Sequence, residues 1–279
     1  MNHIHPTNTS AQQTAGSVPR TAELGVGTVQ VYSFGAVSLH AYQTNDPLDN
    51  QCYLVETDTE LVGIESPAFH ANLTEYAQYI QSLGKPMKHL LLAYHPSGAD
   101  HLTDAEKLVT DGAAAAMREG GSVRNLIDGF VSAFGSDFDG TVPAVTRTIE
   151  PGTIRLGGLD FLITEGLDGF DIEIPAIRCV FTHMVGSDVH NIMPSIAAMD
   201  ALAAQMQRFL DRGYALILTS HYVPETLDAA RIKLAYVRKM KELAQSCSSA
   251  EAFLSAARAA FPRYSGANYL EMTAAGLYR

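Results

Sequence analysis

The sequence predicts an α/β protein in which two β-sheets pack against each other with helices outside, all in one domain. Three observations carry this. Short strand-like runs open the chain, a second set of strands returns near its middle, and helical periodicities follow each set. At 279 residues the chain can bury roughly 75% of its unfolded surface, so no disulfide or structural metal is needed to make a core. From Thr28 the runs TVQVYSF, SLHAYQT, QCYLVET and ELVGIE read as strands, with turn chemistry at Asn45-Asp46-Pro47 and Asp58. A helix is predicted over Leu73 to Leu83, stopped by Gly84. HLLLAY, residues 89 to 94, is a continuous apolar run, the pattern of a strand covered on both faces. Strand and helix alternate from Asp104 to Met117, and a helix is predicted over Val123 to Phe134.

Between 144 and 182 the runs AVTRTI, TIRL, LDFLIT, IEI and AIRCVFT return to strands, with turns at Pro151-Gly152 and Gly157-Gly158. Ile196, Met199, Leu202, Met206 and Phe209 recur at helical spacing and predict a helix over Pro194 to Arg212. ALILTS is another buried-type strand. Helices are predicted near 225–246, 249–260 and 267–275, with Ser248 and Glu251 as a capping box for the second. Residues 1 to 22, rich in Thr, Ser, Gln and Pro, read as a disordered tail that holds His3 and His5. Residues 23–279 make the domain, with 225–279 as a C-terminal helical extension.

Composition excludes several functions. Cys52, Cys179 and Cys247 lie far apart and form no Cys-x-x-Cys pair, which argues against a disulfide framework, a zinc ribbon or a redox pair. Residues 23 to 224 carry 10 basic against 25 acidic residues. Such an acidic body is a poor nucleic-acid binder, because phosphate contacts need clustered positive charge. Residues 225 to 263 carry 7 basic and 4 acidic residues, the pattern of a solvated helix face. With no apolar run near the ~20 residues of a membrane span and no secretory pattern at the N-terminus, the expected location is cytoplasmic and no membrane partner is expected. The sequence has no Gly-x-Ser-x-Gly elbow, no GxxxxGK[ST] loop and no GxGxxG after a strand.

The chemistry concentrates in histidines. HLLLAY runs into His95, IRCVFT into His183 and ALILTS into His221. A metal-competent residue directly after a buried strand lies at a sheet edge, where loops converge on one pocket. His95 continues through Pro96-Ser97-Gly98-Ala99 to Asp100-His101. Thr103 and Glu106 have capping-box spacing, so Asp100 and His101 are expected in the loop before a helix. Imidazole and carboxylate together suit zinc, iron or manganese, and three protein ligands leave a position for water that ionises near neutral pH. Asp188 and His190 are candidates to assist proton transfer. His40, His70 and His89 have no motif around them and are expected to pack or to face solvent.

From Val29 to Tyr222 the chain resembles the metallo-β-lactamase superfamily. The resemblance rests on the Gln51-Cys52-Tyr53-Leu54-Val55 strand, the Gly63-Ile64-Glu65-Ser66 turn, Tyr94-His95, Asp100-His101 and Ser220-His221. It implies a four-layer αββα sandwich as a single domain with extra C-terminal helices. It also implies a metal-dependent hydrolase of a small-molecule ester, thioester or lactone using a metal-bound water. The family's loop reads Thr-His-x-His-x-Asp-His; here it is one residue longer, and Ser97 or Gly98 stands where the second His belongs. The mid-chain His after LDFLIT is absent, and His183 or Met184 replaces the bridging aspartate unless Asp188 takes that role. The expected cofactor is one divalent metal ion, zinc first with iron or manganese as alternatives, held by Asp100, His101 and His221 with His183 or His95 as a fourth ligand. The missing positions leave alternatives open: a catalytically degenerate member that binds a ligand or partner without hydrolysis, an iron-dependent redox enzyme, and a site that holds no metal. Leu227, Ala230, Leu234, Val237 and Ala244 form an apolar stripe that either covers the pocket or makes a homodimer interface.

Overall fold

The computed structural model of the chain describes residues 18–166 and 169–279. His3, His5 and most of the predicted tail lie outside them. The tail boundary moves, because Arg20–Glu23 forms strand β1 paired antiparallel with β2. The first sheet continues through β2 (Thr28–Phe34), β3 (Val37–Gln43), β4 (Gln51–Glu56), β5 (Leu61–Ile64), β6 (Met87–Leu91), β7 (Glu106–Val109) and β8 (Arg147–Thr148), in that spatial order. It is antiparallel up to β5 and parallel from β5 to β8. The second sheet holds β9 (Gly152–Leu156), β10 (Leu159–Glu165), β11 (Phe170–Ile174), β12 (Cys179–Thr182) and β13 (Leu216–Thr219), with β12 and β13 parallel.

The two sheets bury their facing side chains in one core, where Leu39, Tyr53 and Val55 of the first cluster with Phe161, Ile163 and Phe181 of the second. Leu73 and Tyr76 of helix α1 (His70–Ser82) pack on the first sheet. The second sheet is covered by α5 (Ile196–Arg212) and α6 (Leu227–Ser246): Val180 and Ile217 of the sheet cluster with Met206, Phe209, Ala230 and Leu234. This is the αββα order expected from the sequence. The remaining helices are α2 (Ala99–Leu102), α3 (Asp111–Met117), α4 (Ser122–Phe134), α7 (Ala250–Ala260) and α8 (Ala267–Leu277). No helix among the described residues is long and apolar enough to cross a membrane.

Several local expectations shift for physical reasons. AIRCVFT shortens to β12 because Pro175–Ile177 forms a 3-10 turn and Arg178 adopts a left-handed conformation. The capping box at Ser248 moves one residue, with Ser249 accepting the Ala252 N–H. Thr103 and Glu106 do not start a helix. Thr103 accepts the Ala105 N–H and Glu106 opens β7, so Asp100 and His101 sit inside the short α2. The stripe of α6 docks on α5 and, through Val237, on the C-terminal helices.

Lys233 of α6 is fully buried and donates to the Val189 carbonyl (2.5 Å) and to Asn191 Oδ1 (2.6 Å), with its ammonium 4.7 Å from the Tyr236 ring centre. Burial lowers its pKa to about 7, against the opposing pull of the Glu225 and Asp188 charges. The unfolded chain keeps this proton up to about 10.5, so between about 7 and 10.5 the unfolded state holds more protons and stability rises with pH. Wild-type Tm, measured from pH 7 to 10, is therefore expected to climb relative to that of Lys233→Met. Parallel curves would contradict the assignment.

Candidate metal centre

The site forms where the two sheets meet. Parallel pairing sets Thr182 of β12 beside Thr219 of β13, so His183 and His221 leave neighbouring strand ends. The Ser220 N–H donates to the His183 carbonyl (2.9 Å), which holds the two exits together. The first sheet is tied to this edge. Tyr53 Oη donates to the Thr219 carbonyl (2.7 Å) and accepts its N–H (3.1 Å), and the Gln51 N–H donates to the Ser220 carbonyl (2.8 Å).

His95 arrives from β6. Glu65, just past β5, is buried and accepts the N–H groups of Ala93 (2.9 Å), Tyr94 (2.8 Å) and His95. One carboxylate thus fixes the backbone that delivers His95. Burial pushes the Glu65 pKa up to about 7, against three N–H donors that favour the charged form.

His95, His183 and His221 each offer a ring nitrogen, and these lie within 4.8 Å of one another. His95 Nε2 is 3.3 Å from His183 Nε2. Two nitrogens held tetrahedrally at about 2.0–2.1 Å from one zinc ion lie roughly 3.3–3.4 Å apart, so the spacing fits a shared metal. His221 Nδ1 lies 3.3 Å from the Leu48 carbonyl; an N–H there leaves Nε2 as the ligand atom. All three imidazoles are held neutral. Burial lowers His95 well below 6.5 and lowers His221, and desolvation of the ring nitrogens lowers His183 to about 4 even though part of that residue is exposed, with the neighbouring histidines adding to the shifts of His95 and His183. Neutral imidazole is the ligating form.

Tyr94 stacks on His183 with ring centres 4.7 Å apart and planes 13° from parallel. Its hydroxyl donates to Asp171 Oδ1 (3.1 Å), whose Oδ2 accepts Gln205 Nε2 (2.8 Å). This chain lines a cleft of about 600 Å³ that runs from His183 to Arg208. Burial raises the Asp171 pKa, opposed by hydrogen bonds from its neighbours. Sequence reasoning missed Asp171 and Gln205. The available signal was Asp171 in FDIEI, where Phe170, Ile172 and Ile174 face the core and Asp171 is left on the opposite side.

The other predicted ligands are engaged elsewhere. Asp100 pairs with buried Lys107 (2.9 Å) and accepts the Ala144 N–H (3.1 Å). His101 Nδ1 lies 2.5 Å from Asp139 Oδ2; the imidazole is 61% exposed and the carboxylate 3%. Neither joins the histidine cluster. The loop's extra residue and the left-handed turn at Gly98 (φ +81°) carry both into α2, where they anchor the loop. Gly98 has no room for a side chain, since a Cβ there would lie 2.3 Å from the Pro67 carbonyl oxygen and 2.8 Å from Leu73 Cδ2. Gly98→Ala is expected to cost about 3 kcal/mol or more from strain and overpacking together. Urea unfolding checks this, and a loss under about 1 kcal/mol would contradict the reading.

The proposed proton-transfer residues lie apart from the cluster. Asp188 is exposed, and its carbonyl accepts the Ser265 N–H. His190 is buried with Nδ1 3.0 Å from Tyr236 Oη. His40 and His89 take packing roles against Glu56 and Glu106, and His70 lies edge-on to His101. Asp168, in the segment after LDFLIT where the resemblance expects a histidine, lies outside the described residues.

No family model matches the sequence. No curated protein matches it either. Solved structures do. The stereoselective inverting sec-alkylsulfatase Pisa1 from Pseudomonas sp. matches over 85% of this chain and 48% of its own, with 17% identity and a TM-score of 0.56. A metallo-β-lactamase from Erythrobacter litoralis matches over 79% of this chain and 100% of its own, with 14% identity and a TM-score of 0.55. A metallo-β-lactamase family protein from Thermus thermophilus matches over 87% and 91%, with 12% identity and a TM-score of 0.60. The chain spans about half the length of the alkylsulfatases it matches. It has the metallo-β-lactamase fold.

Proposed function

We propose that the chain is a metal-dependent hydrolase that holds one divalent ion, zinc first, on His95, His183 and His221. The observation that carries the reading is the convergence of three neutral imidazoles within 4.8 Å at the junction of the two sheets. Three nitrogen ligands with a position open to substrate is a catalytic rather than a structural donor set. Bound there, the ion would supply a nucleophile at neutral pH and a Lewis acid for a carbonyl.

The chain's own residues do the positioning. Glu65 fixes the approach of His95, Leu48 orients His221, and Tyr94 stacked on His183 limits its ring rotation. The cleft from His183 to Arg208 gives a small ester, thioester or lactone room to lie across the histidines. The chain's net charge of −11 favours a small molecule over nucleic acid, and three cysteines that form no disulfide accord with a cytoplasmic location. The test is metal content and esterase activity of untagged protein loaded with zinc. About one zinc per chain and metal-dependent cleavage of p-nitrophenyl acetate are expected. A protein that takes up no zinc would overturn the reading.

A second reading, binding without hydrolysis, has one observation in its favour: among the described residues no carboxylate joins the three histidines as a proton acceptor. Zinc binding without cleavage of any ester, thioester or lactone would select it.

A further inference from the structure

Beside His95 lies a second and smaller cavity. It is walled by Leu48, Val123, Ile127, Phe130 and Phe138, and Asn50 also lines it. Asn50 is 2% exposed, and neither atom of its side-chain amide has a hydrogen-bond partner. Leaving a buried amide unpaired costs about 1–3 kcal/mol, so such a group calls for a ligand or water to complete it. Water alone is a poor complement here. A buried water needs two to four polar partners; besides Asn50 the lining has Tyr94, engaged by Asp171, His95 of the histidine cluster, and Ser97, and the rest is apolar.

The cavity volume is about 30 Å³. One water needs roughly 10–15 Å³ on that measure, so the space holds about two to three waters, or a bonded group of about three to four heavy atoms, whose atoms lie closer together than waters do. A short apolar group carrying a carbonyl matches both features, with its hydrocarbon part against Ile127 and Phe130 and its oxygen accepting from Asn50 Nδ2. Because His95 shares the wall, a group seated there has its carbonyl beside the histidine cluster.

We infer that this cavity is the subsite for the acyl portion of the substrate, acetyl- to propionyl-sized, and that Asn50 is its polar anchor and a determinant of specificity. The inference rests on the hydrolase reading and narrows it to short-chain acyl esters and thioesters. Asn50 belongs to the turn entering β4, where its backbone carbonyl accepts the N–H and the hydroxyl of Thr44, and its side-chain amide has no partner.

Two readouts test it on the full chain. In the first, propionamide and hexanamide are titrated into 15N-labelled, zinc-free protein, with the Asn50 side-chain amide assigned by its loss in Asn50→Leu. Propionamide is expected to shift that resonance, hexanamide to bind on the order of tenfold more weakly, and Asn50→Leu to weaken propionamide binding on the order of tenfold. In the second, the zinc-loaded protein is assayed with p-nitrophenyl esters from acetate to octanoate. Wild type is expected to favour acetate and propionate, with kcat/KM on the order of tenfold lower at hexanoate. Ile127→Ala is expected to move the optimum to longer chains, a change that general destabilisation would not produce.

An unmoved Asn50 resonance, or a flat chain-length series unaltered by Ile127→Ala, would overturn the subsite. If propionamide shifts Asn50 but no ester is cleaved, the subsite stands and the hydrolase reading falls. If esters are cleaved without chain-length preference, the hydrolase stands and the subsite falls.

Discussion

Replacing His183 or His221 by Ala is expected to lower zinc affinity by more than about hundredfold and to bring hydrolysis down to the metal-free background. Changes to residues that merely orient metal ligands cost 10–100-fold, so removing one of three direct ligands should cost at least as much. The same measurement on Asp100→Ala and His101→Ala should leave zinc content near the wild-type value. In the structure those two side chains pair with Lys107 and Asp139, not with the cluster. Competition with a chromogenic chelator gives the affinities. If Asp100→Ala loses zinc as completely as His221→Ala, the three-histidine ligand set is wrong and the sequence motif is the better guide.

Glu65→Ala is expected to be the most damaging change outside the cluster, destabilising the fold by about 3–5 kcal/mol. The carboxylate accepts three consecutive backbone N–H groups, from Ala93, Tyr94 and His95. Alanine would leave these buried donors unpaired at about 1–3 kcal/mol each, partly relieved by water entering the space. Glu65 also adopts a left-handed conformation (φ +65°), unusual for a residue with a side chain, which its hydrogen bonds sustain. Glu65→Gln keeps an acceptor oxygen but turns an amide N–H₂ toward one donor, so an intermediate loss is expected. Urea titration of both variants checks the stabilities. The zinc affinity of Glu65→Gln checks whether His95 is still delivered. Equal stability of wild type and Glu65→Ala would contradict the assigned role.

The fold was largely legible because hydrophobic patterning is a one-dimensional record of burial. TVQVYSF coincides with β2, and the periodicity at Met199, Met206 and Phe209 marks the buried face of α5. The ends of elements were less legible. The first turn of α1 begins at His70 with no side-chain cap, and the 3-10 turn before Cys179 depends on Pro175 and Arg178 in their tertiary setting.

At the site, the rule that an apolar strand running into a histidine places it at a sheet edge picked out His95, His183 and His221, and the structure brings all three together. Motif spacing was the weaker guide. Asp100-His101 has the composition of a ligand pair, but one added residue and the turn at Gly98 redirect it toward Lys107 and Asp139. Spacing along the chain reports position in space only where the backbone between is the same. Glu65 read in the sequence as a residue that stabilises its turn or supports a ligand from behind; that it accepts three N–H groups from a loop nearly thirty residues away follows from the β5–β6 pairing. The cavity beside His95 could not be read at all, since its walls come from the β3–β4 turn, α4 and the loop after β6.

X-ray absorption at the zinc edge, on untagged protein reconstituted with one equivalent of zinc, tests the central claim most directly. The shell is predicted to contain three imidazoles, to lose one in His183→Ala and to be unchanged in Asp100→Ala. A shell with a protein carboxylate and fewer than three imidazoles, unaltered by His183→Ala, would contradict it.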